Sequence, residues 1–280
     1  MMDTRWYPGH MKKTKEILKE NIRLVSVVIE LLDARIPLSS QNPDLNNIIG
    51  SKSRIIVLNK SDLADDNKTS LWLAFFKEKG FQAVAVNSMK GHGIKKLKTL
   101  LGKLKREGPK GKRPVRAMVI GIPNVGKSSF INSLVGRTAA KTGGKPGVTR
   151  GKQWIKISPG IELLDTPGIL WPHMEDEEVV FRLAVTGAVK FEQLDTVELA
   201  YRLLEVLGKE NWEIISNRYA IKEGPSLENL EEIIKGIGSR RGFLKAGGEV
   251  DIFKTSNLIL KDFREGLLGK ITLEEPPLSS

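Results

Sequence analysis

The chain contains no cysteine. Disulfides, thiol catalysis and cysteine-ligated zinc are therefore excluded, and a reducing cytoplasm is the expected location. No stretch approaches the roughly 18 uninterrupted apolar residues of a membrane helix, so no membrane partner is expected. The first ten residues, Met1 to His10, lack the apolar core of a signal peptide. Internal repeats and low-complexity tracts are also missing. Acidic residues fall short of basic ones, 33 Asp and Glu against 45 Lys and Arg, which leaves a formal net charge of +12. Such an excess favours a polyanionic partner, because neutralising phosphates releases counterions. The plain alternative is charge that only aids solubility. With 280 residues there is room for one large domain or two ordinary ones.

What is present is a series of short apolar runs alternating with helical patterns. Runs at 25–32, 54–58 and 83–86 predict strands, and 71–77 and 93–106 have helical spacing. Residues 108–114, rich in Gly, Pro, Lys and Arg, predict a flexible basic linker. Beyond it, 115–120, 153–157 and 161–164 predict further strands. This alternation indicates an α/β fold with a mainly parallel sheet. After about residue 175 the strand signals stop, and 177–189, 196–207, 227–234 and 253–268 predict helices. The expected organisation is an α/β domain over 1–175 and a smaller all-α domain over 176–280.

Two strings carry chemistry. Gly121-Ile122-Pro123-Asn124-Val125-Gly126-Lys127-Ser128 fits the phosphate-loop pattern G-x-x-x-x-G-K-[ST]. Its glycines let the backbone wrap tightly, so N–H groups and a helix N-terminus face the phosphates. Asn124, Val125, Gly126 and Ser129 belong to that cradle. Lys127 is expected to reach the β- and γ-phosphates, and the Ser128 hydroxyl to bind Mg²⁺. Asn59-Lys60-Ser61-Asp62 is an N-K-x-D string, which reads guanine. An aspartate at position 62 accepts from the guanine N1–H and its exocyclic amine, a pattern adenine does not offer. Asn59 is expected on the purine N7 side and Lys60 along the base. A site built on such bonds rejects the wrong base strongly. The bland alternative is a helix-capping turn. Asn87 and Ser88 follow the third strand, where the Ser88 N–H could meet the guanine O6.

Downstream, Asp165-Thr166-Pro167-Gly168 fits a D-x-x-G element. Asp165 is expected to hold Mg²⁺ through water, and the Gly168 N–H to sense the γ-phosphate. Thr149 lies between the phosphate loop and Asp165, where a switch threonine that binds magnesium belongs; alone it reads as a turn residue. The residue after Gly168 is Ile169, not the water-orienting glutamine that often follows such a glycine. Isoleucine cannot hydrogen-bond to water, so hydrolysis must recruit another group.

The order of the strings is unusual. In an ordinary GTPase the base-reading string follows the phosphate loop, and here it precedes it. Together with the linker between the third and fourth strands, this order indicates a circularly permuted P-loop GTPase domain. With its Asp33-Ala34-Arg35, Ile169 and opening Trp6-Tyr7-Pro8-Gly9-His10-Met11, the chain resembles the YlqF/RbgA family of circularly permuted GTPases that assist large ribosomal subunit assembly. The resemblance covers essentially the whole chain.

It implies a GTPase that cycles between GTP and GDP with Mg²⁺. It also implies that His10 takes part in hydrolysis, by positioning water or as a general base; the alternative is a histidine that only caps or packs. Asn124 resembles the asparagine of potassium-activated GTPases, so K⁺ is a further expected ion, against the alternative that Asn124 only shapes the loop. The implied partner is a precursor of the large ribosomal subunit and its rRNA, bound by a monomer. Arg202, Arg218, Arg240, Arg241, Lys245, Lys254 and Lys261 are candidate rRNA contacts, although scattered basic residues are more often solvated surface. Two other readings remain open: an rRNA-binding scaffold with structural nucleotide, and a tRNA-linked permuted GTPase.

Overall fold

The computed structural model describes residues 16–43, 45–107, 114–136, 154–164, 176–189, 194–210, 212–221 and 229–277. These residues form two units. One comprises the described residues up to 164 together with 272–277, and the other lies within Asp176–Ile271.

The first unit is built on a sheet whose strands are β1 (Val27–Asp33), β2 (Ser53–Asn59), β3 (Gln82–Val86), β4 (Val115–Gly121), β5 (Trp154–Ser158) and β6 (Ile161–Leu164). Their order across the sheet is β3-β2-β1-β4-β6-β5. Every neighbouring pair is parallel except β5 with β6. All seven residues of β1 are buried, as expected of a central parallel strand covered on both faces. The helices of this unit are α1 (16–22), α2 (Leu45–Ile49), α3 (Asp66–Glu78), α4 (Ile94–Glu107) and α5 (Lys127–Val135). Helix α3 starts at Asp65, whose side chain accepts from the Lys68 N–H at 2.7 Å. Its Trp72 and Phe76 then pack on Leu32, Ala34, Ile56 and Leu58 from β1 and β2 and the residue following β1.

The permuted connectivity gives β1 its position. Register pairs Asp33 with Asn59, Asn59 with Val86, and Leu31 with Gly121. The C-terminal ends of β1, β2, β3 and β4 therefore lie along one sheet edge. In α/β folds that edge is where ligands bind.

The second unit is helical among the described residues: α6 (Glu177–Val185), α7 (Thr196–Glu210), α8 (Trp212–Tyr219), α9 (Leu230–Arg240) and α10 (Ile252–Arg264). Asp176 and Asp251 cap α6 and α10 by accepting first-turn N–H groups. Leu203, Leu204, Leu207, Ile234, Ile237, Ile259 and Phe263 are buried in it. The sequence pattern missed α8 and placed α9 at 227–234, whereas the described helix continues to Arg240. Gly236 and Gly238 look like breakers. At Gly238 the missing side chain is needed instead, because a Cβ there would lie 2.3 Å from Val250 Cγ1 and 2.4 Å from Thr255 Oγ1.

Residues 272–277 depart from the expected boundary. They carry no regular secondary structure and belong with the α/β unit rather than the helical one. Leu273 N–H donates to the Arg35 carbonyl at 2.8 Å. The Glu274 carboxylate accepts from the Leu38 and Ser39 N–H groups at 2.6 and 3.0 Å and from the Ser39 hydroxyl. Trp72 Nε1 donates to the Glu274 carbonyl at 3.1 Å. Among the described residues no helix is long and apolar enough to cross a membrane.

Candidate nucleotide-binding site

The phosphate loop connects β4 to α5. Gly126 caps α5 in a left-handed conformation, φ 93°, with no side-chain cap. The glycine cap offers no side-chain acceptor to the first turn of α5, and a helix N-terminus of this kind suits an anion. Asn124 is also left-handed, φ 54°, a conformation asparagine tolerates better than most residues, and it is exposed. Val125 is buried, Lys127 and Ser129 are half-buried, and Ser128 is exposed on the first turn of α5.

The base-reading string leaves the end of β2. Asn59 is buried, and its side chain ties three loops together. Nδ2 donates to the Val125 carbonyl of the phosphate loop at 2.8 Å. Oδ1 accepts from the Ser88 hydroxyl at 2.6 Å and the Ser88 N–H at 3.3 Å. Nδ2 lies so close to the loop that a Cβ on Gly126 would fall 2.5 Å from it. One amide hydrogen of Asn59 remains for a base. In this structure the Ser88 N–H and hydroxyl both face Asn59 and help orient its side chain. Asn87 is buried, and its Oδ1 accepts from the Met89 and Lys90 N–H groups at 3.0 and 2.9 Å, shaping the turn beside Ser88.

Lys60 follows with φ 57°, and its Nζ donates to Asp33 Oδ2 at 2.9 Å. The half-buried Asp62 side chain makes no hydrogen bond to any described residue, which leaves its acceptors open to a ligand. In the sequence Asp33 stands out only as part of Asp33-Ala34-Arg35. Here its carboxylate is fully buried and accepts from Arg35 N–H, Nε and Nη2 at 3.1, 3.0 and 2.8 Å. Burial alone would raise its pKa, but the charges and hydrogen bonds of Arg35 and Lys60 outweigh that and hold it below the usual carboxylate range. No spacing rule pointed to this contact; the only hint was that Asp33 and Asn59 end neighbouring apolar runs.

His10, Thr149, Asp165, Gly168 and Ile169 lie outside the described residues. In the helical unit the basic candidates separate. Arg202 is engaged by Glu178 and stacks on Phe181 at 4.5 Å, and Arg218 donates to Asp262 at 2.9 Å. Arg240, Arg241, Lys245 and Lys254 are exposed around a loop that also exposes Leu244 and Phe253, and Lys254 Nζ lies 4.5 Å from the Phe243 ring. Lys261 is exposed, 3.9 Å from Glu265.

Comparison with known proteins agrees with this geometry. Residues 116–220 match the family described as 50S ribosome-binding GTPase. The match begins at the strand feeding the phosphate loop and leaves out Asn59–Asp62, which lie upstream. The chain is 47% identical to Ribosome biogenesis GTPase A of Bacillus cereus, over 98% of this chain and 95% of that one. It is 44% identical to the protein of the same name from Priestia megaterium, over 98% of each. A crystal structure of GNP-bound YlqF from T. maritima aligns with a TM-score of 0.68 at 29% identity, covering 95% of this chain and 99% of that chain.

Proposed function

The chain belongs to the YlqF/RbgA family of ribosome-assembly GTPases, and from that premise we propose that it uses GTP binding and hydrolysis as a switch on precursors of the large ribosomal subunit. The observation that carries this reading is the Asn59 bond to the Val125 carbonyl. It joins the base-reading string to the phosphate loop across one sheet edge, so a single guanine nucleotide can engage both. Asp62 reads the guanine edge, the free amide hydrogen of Asn59 serves the N7 side, and the Lys60 stem lies along the base. The uncapped N-terminus of α5 and Lys127 hold the phosphates.

Mg²⁺ fits the donor set, because Ser128, Thr149 and Asp165 offer hard oxygens. When bound it neutralises charge developing on the β- and γ-phosphate oxygens. Asn124, exposed at the head of the loop, is the K⁺ candidate. His10 supplies the polar group that Ile169 lacks, orienting the attacking water or accepting its proton. Residues up to 175, with 272–280, act as the nucleotide domain and Asp176–Ile271 as the RNA-binding domain, with Arg240, Arg241, Lys245 and Lys254 against rRNA phosphates. The segment after Gly168 runs directly into the helical unit, so a γ-phosphate-dependent change there passes along the chain.

Co-sedimentation tests the proposal. At matched moderate salt, large-subunit precursors should bind about tenfold more tightly with a nonhydrolysable GTP analogue than with GDP, which needs a coupling of about 1.4 kcal/mol. Equal binding in both states reduces the protein to an electrostatic RNA binder, and co-purifying tRNA redirects the partner assignment.

A further inference from the structure

We propose that Asp33 is a positioning residue of the nucleotide site, whose carboxylate anchors the Lys60 ammonium and so holds the Lys60 stem in place for the base. The inference rests on the reading that Lys60 contacts the base.

Strand β1 lies between β2, which carries the base-reading string, and β4, which carries the phosphate loop. Asp33, its last residue, is in register with Asn59. It therefore sits where the base and phosphate halves of the site meet. Arg35 already gives the carboxylate three hydrogen bonds, through its N–H, Nε and Nη2. Those bonds would satisfy a purely structural aspartate. The fourth goes to Lys60, and here the two cations differ. The Arg35 side chain is 1% exposed, while that of Lys60 is 23% exposed, so Lys60 keeps a face open to solvent at the site.

The backbone of Lys60 points the same way. Its φ of 57° is uncommon for a residue with a side chain. Such conformations persist where surrounding contacts over-determine them. The Lys60 carbonyl accepts from the Leu63 N–H at 2.9 Å, and the Asp33 contact holds the far end of the side chain. A lysine stem is flexible, and ordering it only on binding would weaken affinity. An anchored ammonium removes that cost before the nucleotide arrives.

The loop carrying Arg35 is itself held by the chain end. The Arg35 carbonyl accepts from Leu273, and Glu274 takes the Leu38 and Ser39 N–H groups. The anchor for Lys60 thus rests on a loop that is itself hydrogen-bonded to 272–277.

A double-mutant cycle on the full chain tests this, with GDP affinity as the readout. Asp33→Asn should weaken GDP binding about fivefold, within the range for coupled neighbours. Lys60→Met should weaken it at least as much. In the Lys60→Met background, Asp33→Asn should have no further effect, and the ratio of GDP to IDP affinity should hold in all variants because Asp62 is untouched. An equal loss from Asp33→Asn in both backgrounds overturns the proposal, since Asp33 would then act elsewhere. No loss in Lys60→Met overturns the base-contact reading of Lys60 itself, a distinguishable failure that removes the proposal with it. Should Asp33→Asn not fold, the wild-type protein decides. An anchored Lys60 ammonium, assigned by its loss in Lys60→Met, should give an observable ammonium resonance both without nucleotide and with GDP. Its absence without nucleotide overturns the proposal.

Discussion

In the α/β unit two buried carboxylates are paired, Asp33 with buried Arg35 and part-exposed Lys60, and Glu30 with Arg54, while Arg116–Glu162 and Lys68–Glu275 lie at its surface. In the helical unit Arg240, Arg241, Lys245 and Lys254 stand exposed, and pairs such as Arg202–Glu178 and Lys235–Glu231 lie at the surface, with Arg218–Asp262 the partly buried exception. The difference fits the proposed division of labour between the units. A base edge is read by a few directional bonds whose donors and acceptors must be held in place. Phosphates along an RNA are neutralised by charge with little directional demand, which mobile surface cations supply. Buried pairs are unforgiving for the same reason: removing one partner strands a charge in low dielectric, whereas a surface pair contributes little.

The sharpest test of that contrast is Arg54→Ala against Arg202→Ala. Losing Arg54 strands the fully buried Glu30 and should destabilise the protein by about 3–5 kcal/mol, measured by denaturant unfolding. Losing Arg202 should cost below about 1 kcal/mol. Burial raises the Glu30 pKa although Arg54 opposes it. The folded state therefore binds this proton more tightly than the unfolded state, and stability from it grows as pH falls. The Arg54→Ala deficit should accordingly shrink between pH 8 and pH 5, and a deficit that widens on acidification breaks the account.

Asp62→Asn should be next in size. It exchanges a double acceptor for one acceptor and one donor, so GTP affinity should fall by about a hundredfold, as for sites that leave polar groups unpaired. Xanthine nucleotides should gain. Unchanged GTP affinity removes Asp62 from the base site. Glu274→Ala tests the support from 272–277: it leaves the part-buried Leu38 N–H and the buried Ser39 N–H without their acceptor and should cost about 2 kcal/mol. A melting temperature equal to wild type would show that 272–277 are only draped on the unit.

His10→Ala should lower subunit-stimulated hydrolysis about tenfold, the lower range for an acid–base or positioning group, without changing nucleotide affinity. Normal stimulated turnover would make His10 structural. The smallest effects belong to the exposed cations. Single alanine substitutions of Arg240, Arg241, Lys245 or Lys254 should each weaken particle binding a few-fold and lower its salt slope by about one, while GDP affinity stays put. Nucleotide affinity that falls with them would end the separation between the two units.

The sequence by itself determined the strands, the permuted order and the identity of the two recognition strings. It could do so because central parallel strands are continuous apolar runs, and because each string is contiguous and acts through its own turn. It missed the short helices α1 and α2 as well as α8, stopped α9 short of Arg240 before Gly236 and Gly238, of which Gly238 serves close packing, and gave nothing for 272–277, which has neither strand nor helix periodicity. Tertiary structure alone decided which side chains hold one another. Asn59 meets Val125 across 66 positions, Lys60 meets Asp33 across 27, and Ser39 meets Glu274 across 235. Such bonds leave no periodic trace, because a buried polar group needs one partner of the right kind at about 3 Å, and the fold can bring that partner from anywhere in the chain.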